Sequence, residues 1–179
     1  MTTTLSGSKM ESFMPFETVL SAGFAKDGMF MVMRQDNQWN FVHKDVLAPI
    51  SEVWFDQVRP FSKGLAAVCK GCKWTYVDMA GNLLGEPRFA EVKDFGTKYG
   101  AVRVKKAWSY VDEEGKLHGK YSTATQFANG RASVSIKGKY YIINSGFKKI
   151  FGPFEYASNI LHGNTAIVRD ADGQRVMLL

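Results

Sequence analysis

Apolar and polar residues alternate along this chain in short bursts, with no helical stripe to join them. In RASVSI, residues 131–136, Ala132, Val134 and Ile136 fall on one face, the period of a half-buried strand. WTYVD (74–78) and WSYVD (108–112) are aromatic and β-branched, as strands prefer. Turn chemistry follows each: in VDMAGN and VDEEGK, Asp78 or Asp112 caps the turn and Gly81 or Gly115 supplies the positive φ. CKGCK (69–73) and IKGK (136–139) mark a second kind of hairpin turn. The pattern predicts two to three short antiparallel strands in each stretch of about 35 residues and leaves little room for helix, so the fold class is all-β.

The bursts are periodic. QWNFVHKDV, KWTYVDMAG and AWSYVDEEG put Trp39, Trp74 and Trp108 in register; Tyr140 and Arg175 take the Trp place in the next two units, at spacings of 32 to 35 residues. Six or seven residues ahead stands a valine each time: Val32, Val68, Val102, Val134 and Val168. A third element closes each unit: VWFDQVRP before Phe61, RFAEVKD before Phe95, KYSTATQ before Phe127 and PFEYASN before Ile160. The last unit lacks this piece, but PFETVLS (15–21), near the other end, resembles PFEYASN (153–159). The expected organisation is a flexible leader, 1–12, and a single β-repeat domain, 13–179. Its units lie near 24–60, 61–94, 95–126, 127–159, and 160–179 completed by 13–23. Such units bury their apolar faces only by stacking on one another. The permuted ends favour a closed propeller-like ring; the alternative, an open β-solenoid, is what fewer than four strands per unit would favour.

The units resemble WG repeats, bacterial β-repeat units with the pattern F-x-x-G-x-A-x-V…W-G-x-[IV]-D-x-x-G, over roughly residues 15–179. The glycine after Trp is missing, replaced by Asn40, Thr75, Ser109 and Tyr141, so the resemblance is to a diverged member. It implies a repetitive β scaffold with interaction roles and brings no catalytic residues with it.

Composition adds less. The 179 residues, 45% hydrophobic and 22% charged, suit one globular domain or one repeat array. No apolar run reaches the roughly 18 residues of a membrane span, and the first residues lack a signal peptide's charged start and apolar core, so a cytoplasmic protein without membrane contact is expected. Two cysteines make no disulfide framework. The net charge of +6 favours an acidic partner, protein or nucleic acid.

Recurrence decides how the candidate chemistry is read. Trp39, Trp74 and Trp108 share one structural place, which fits packing anchors between units better than a stacking platform. Asp78 and Asp112 share theirs with His43 and Asn144, which fits turn capping better than acid–base work. Cys69 and Cys72 have zinc-ligand spacing but no second pair, and His43, His118 and His162 are scattered. No nucleophile elbow, phosphate loop or metalloprotease helix occurs, so no catalytic residue, metal or cofactor is assigned and an enzyme is not expected.

Charge is the more informative feature. The turn joining the first two strands of each unit carries cations, most densely Lys70, Lys73, Lys105, Lys106, Lys137 and Lys139. Equivalent turns of a stacked array share one edge, so these six predict a basic rim. The expectation is a non-enzymatic scaffold binding an acidic protein surface, as an inhibitor, immunity or assembly protein. The alternatives are a nucleic-acid-binding protein using the rim and exposed aromatics, and a glycan-binding β propeller. A small-molecule ligand is not expected.

Overall fold

The computed structural model describes residues 19–22, 27–46 and 48–179; the expected leader, 1–12, lies outside them. The described strands form five antiparallel sheets that follow one another along the chain. Sheet I holds β1 (Val19–Ala22), β2 (Met29–Arg34) and β3 (Trp39–His43). Sheet II holds β4 (Gln57–Val58), β5 (Leu65–Lys70) and β6 (Lys73–Asp78). Sheet III holds β7 (Glu91–Val92), β8 (Gly100–Val104), β9 (Ala107–Val111) and β10 (Leu117–Tyr121). Sheet IV holds β11 (Thr123–Ala124), β12 (Arg131–Ile136), β13 (Lys139–Asn144) and β14 (Lys149–Phe154). Sheet V holds β15 (Tyr156–Ala157), β16 (Thr165–Asp170) and β17 (Gly173–Leu178).

The repeat pattern has a local cause at each place. Lys63 (φ 55°) with Gly64 (φ 82°), and Asn129 (φ 49°) with Gly130 (φ 74°), are paired left-handed residues ahead of the second strand. Gly71 with Cys72, and Lys137 with Gly138, repeat that geometry between the second and third strands, where two consecutive positive φ angles match a hairpin's right-handed twist. The recurring valines, Val32, Val68, Val102, Val134 and Val168, lie mid-strand and fully buried.

The boundaries between sheets fall inside the third element, not after it. Phe55 and Phe89 bridge back to Trp39 and Trp74. In the same way Tyr121 of β10 faces Trp108, and Phe154 of β14 faces Tyr140. The very next residue, Asp56, Ala90, Ser122 or Glu155, donates its N–H to the second strand of the following sheet. One short peptide therefore supplies the outer edge of one sheet and the inner strand of the next. This raises the expected two to three strands to three or four per sheet. It also reassigns residues 19–22: β1 pairs with β2 (Val19↔Arg34, Ala22↔Val32) as the first strand of sheet I, and so does not complete the fifth unit as expected. A hairpin partner a few residues away costs less chain entropy than one at the far end of the chain. Among the described residues no strand joins sheet V to sheet I, so the arrangement is propeller-like and the ring is not closed.

The core lies between consecutive sheets. In sheets I to IV the central residue of the third strand, Phe41, Tyr76, Tyr110 or Ile142, is fully buried. Three of them meet a phenylalanine of the next sheet edge-on: Phe41–Phe61 at 4.8 Å, Tyr76–Phe95 at 5.1 Å and Tyr110–Phe127 at 4.7 Å between ring centroids. Ile142 and Ile160 share the fourth cluster. The Tyr76 hydroxyl donates to the Lys93 carbonyl (2.6 Å) and that of Tyr110 to the Thr125 carbonyl (2.8 Å), each crossing to the next sheet. Trp39, Trp74 and Trp108 are only half-buried, the last two at the margins of these clusters, so the anchoring role expected of them belongs chiefly to the residue two places on.

Candidate functional site

The turns between second and third strands of sheets II, III and IV, at 70–73, 105–106 and 137–139, occupy equivalent places and leave their six lysines exposed. They differ in what they touch. Lys70 Nζ donates to Gln38 Oε1 (2.7 Å) and the Trp54 carbonyl (2.6 Å), and lies 3.8 Å from Asp56. It braces sheet II on sheet I and is not free for a ligand. Lys73, Lys105, Lys106, Lys137 and Lys139 make no ion pair or side-chain hydrogen bond among the described residues. The terminal sheets neutralise their own cations: Arg34 pairs with Asp36 at 2.7 Å and Arg175 with Asp170 at 2.6 Å. Free positive charge is thus concentrated on sheets II to IV.

One further cation joins this edge. Lys120, exposed on the outer strand β10, lines a depression of about 660 Å³ together with Val104, Lys105, Lys106, Ser109 and Leu117. A register shift between His118 and Tyr121 brings it there, and Tyr121 is held opposite Trp108. Sequence reasoning missed Lys120 because it stands twelve or more residues from the turn it adjoins; the one signal was Gly119, whose positive φ (67°) opens the bulge.

The opposite turns do the work expected of them. Asp78 Oδ1 accepts N–H bonds from Ala80 (2.9 Å) and Asn82 (2.8 Å), and Asn144 Oδ1 from Gly146 and Lys148 (both 3.0 Å). Asp112 accepts from the Lys116 N–H (2.7 Å) and pairs with His118 Nε2 (2.6 Å). Burial pushes the Asp112 carboxyl up, but the hydrogen bonds from His118 and the Lys116 N–H outweigh it and hold it below the usual range. The His118 ring stacks on Phe147 at 4.8 Å.

Several aromatic faces that a base or sugar would need are already covered. Arg59 lies over Trp74 (5.1 Å to the ring centroid), Lys93 over Trp108 (5.0 Å) and Arg34 over Trp54 (4.3 Å). Arg59 and Lys93 take the same place, one residue past the first strands of their sheets. Burial lowers the Lys93 ammonium's affinity for its proton, a cost that the Glu91 charge partly offsets. Among the described residues no cluster of three His, Cys, Asp or Glu side chains could hold a metal, Cys69 and Cys72 are both free, and no helix is long and apolar enough to cross a membrane.

No curated protein sequence matches the chain. Among solved structures it is similar to KlHsv2 with loop 6CD replaced by a Gly-Ser linker, at 15% identity and a TM-score of 0.50, over 90% of this chain and 62% of that one. It is also similar to BamB from Moraxella catarrhalis, at 11% identity and a TM-score of 0.46, over 87% and 55%. The chain spans less than two thirds of either structure, and the likeness to the first concerns the fold alone. The family profile for the WG containing repeat matches residues 55–74 and 108–140, the stretches that carry Phe61, Gly64, Ala66, Val68 and Trp74, and then Trp108, Phe127, Gly130, Ala132 and Val134. These two stretches are similar to the WG containing repeat, and the five repeating sheets agree with that likeness.

Proposed function

We propose that this protein is a non-enzymatic scaffold, acting in the cytoplasm as an inhibitor, immunity or assembly protein. Its lysine edge binds a protein partner with an acidic surface. The observation that carries this reading is the contrast along one edge: Lys73, Lys105, Lys106, Lys137 and Lys139 have no counter-charge, while the cations of the terminal sheets are paired at close range. Unpaired like charges on neighbouring turns repel one another, and an acidic surface relieves that repulsion on binding. The depression beside Lys105, Lys106 and Lys120 also offers an apolar contact at Leu117, which an acidic protein side chain pattern fills better than a uniform phosphate backbone. The two free cysteines agree with a reducing compartment.

The test is a quadruple variant, Lys105→Glu, Lys106→Glu, Lys137→Glu and Lys139→Glu. Partners captured from the native cell by the wild-type chain are measured against the variant at fixed ionic strength. A loss of tenfold or more in affinity supports the reading, and unchanged affinity overturns it. In a parallel titration, tight low-salt binding of single- or double-stranded oligonucleotides, falling steeply with salt, would transfer the edge to nucleic acid.

A further inference from the structure

One place in the repeat is occupied differently in each of sheets I to IV. The pairings Val32↔Asn40, Val68↔Thr75, Val102↔Ser109 and Val134↔Tyr141 are the same rung of successive sheets. Asn40 and Thr75 reach from it to carbonyls of their outer segments. In sheet IV Tyr141 puts a ring there. A Cβ added at Gly152 would lie 3.0 Å from its Cδ1, and Lys149 Nζ stands over the ring, 3.9 Å from the centroid. Sheet III has Ser109, the smallest of the four, whose hydroxyl donates to the Gly119 carbonyl (3.0 Å). Beside Ser109 lies the depression of about 660 Å³.

The surroundings of that depression match those of the Tyr141 ring. Gly119 (φ 67°) and Gly152 (φ 111°) are both left-handed and stand two residues before Tyr121 and Phe154, which face Trp108 and Tyr140. Leu117 and Lys149 also correspond, opposite Val111 and Ile143. Sheet III thus keeps the cradle of sheet IV without the ring. Its wall is apolar at Ala107 and at Leu117, which is 41% exposed. Lys105, Lys106 and Lys120 stand around it, and no acidic residue lines it among the described residues. The volume suits a group far larger than a single ion. The lysines select an anionic neighbourhood, and an aromatic ring is the apolar group whose face also attracts an ammonium.

We propose that this depression seats an aromatic side chain from a carboxylate-rich segment of the protein partner. The ring lies against Gly119 and Leu117 as that of Tyr141 lies against Gly152, with a lysine ammonium over its face. The carboxylates on either side of it meet the remaining lysines. Sheet III then sets which acidic surface is chosen, and Lys137 and Lys139 contribute charge alone. The inference rests on the lysine-edge reading and names the partner's anchoring residue.

The test uses two fluorescently labelled acidic peptides of equal length and charge, one with a central phenylalanine and the other with a central serine. The phenylalanine peptide should bind the full chain about tenfold more tightly, the worth of one largely buried ring. Leu117→Ser changes the wall and no charge, and should erase most of that preference while leaving the serine peptide's affinity as it was. Ser109→Tyr fills the depression from within and should do the same with every lysine in place; if this variant does not fold, Leu117→Ser decides alone. Lys137→Glu with Lys139→Glu should weaken both peptides and keep their ratio. Equal affinity for the two peptides, or a preference that survives Leu117→Ser, overturns the aromatic seat and leaves the lysine-edge reading standing. Absence of binding by either peptide at low salt also overturns the seat. The lysine-edge reading is judged separately, by the quadruple variant against native partners.

Discussion

Tyr110 shows what a single residue contributes here. Its ring packs edge-on against Phe127, and its hydroxyl reaches the Thr125 carbonyl at 2.8 Å, so one side chain joins sheets III and IV by two kinds of contact. Removing only the hydroxyl in Tyr110→Phe leaves the packing and orphans a part-buried carbonyl; a loss of roughly 1–2 kcal/mol in urea unfolding is expected. The motif WSYVD displayed this tyrosine, yet Trp108 stood out as the anchor. Alternation places residues 108 and 110 on one face but does not tell which end of the strand the next sheet covers. Asp112 is a second residue with a measurable signature. Its pKa is lowered in the folded chain by His118 and the Lys116 N–H, so its contribution is present above the ordinary carboxylate value of 3.8 and is lost as pH falls through the folded one. Asp112→Asn should therefore narrow the stability difference between pH 5 and pH 3 relative to wild type, and equal slopes in both proteins would contradict the pairing.

At the scale of an element, the departure from the W-G pattern has a physical account. Where WG units carry glycine, Asn40, Thr75 and Ser109 are buried and donate side-chain hydrogen bonds outward. Asn40 reaches the Ser51 carbonyl (2.7 Å), Thr75 those of Leu84 (3.2 Å) and Gly85 (3.1 Å), and Ser109 that of Gly119 (3.0 Å). These carbonyls lie in the outer segments, where the ladder is broken by bulges or reduced to single bridges. The polar side chains replace the ladder bonds that those segments do not make. Thr75→Val keeps the shape and removes the donor, which should cost about 0.5–1.5 kcal/mol through the loss of its bonds to the two part-buried carbonyls. Thr75→Ser should cost much less. The strands and both hairpin turns were legible because they depend on neighbouring residues. The outer segments were not, because Phe55 and Phe89 pair through isolated bridges that leave no alternating run to read.

Across the whole molecule, equal formal charges divide into two functions, and the sequence shows no difference between them. Lys70 and Lys105 occupy the same turn in adjacent units, but only Lys70 has Gln38, the Trp54 carbonyl and Asp56 within reach, because sheet I lies against it. That neighbour comes from the stacking of sheets, which no local pattern encodes. The two lysines should therefore separate in experiment. Lys70→Ala removes a brace between sheets I and II and should lower stability by about 0.5–1.5 kcal/mol, little more because the group is largely exposed to solvent. Lys105→Ala with Lys106→Ala removes two charges that have no partner to lose, so the thermal midpoint should hold or rise slightly as repulsion with Lys120 is relieved. Partner affinity should move the other way: nearly unchanged for Lys70→Ala and reduced for the double variant, chiefly through slower association at low salt. Measuring unfolding and association on the same two proteins distinguishes a lysine that holds the scaffold together from lysines that meet a partner. A parallel fall of both quantities in both variants would place the whole edge in the service of stability alone.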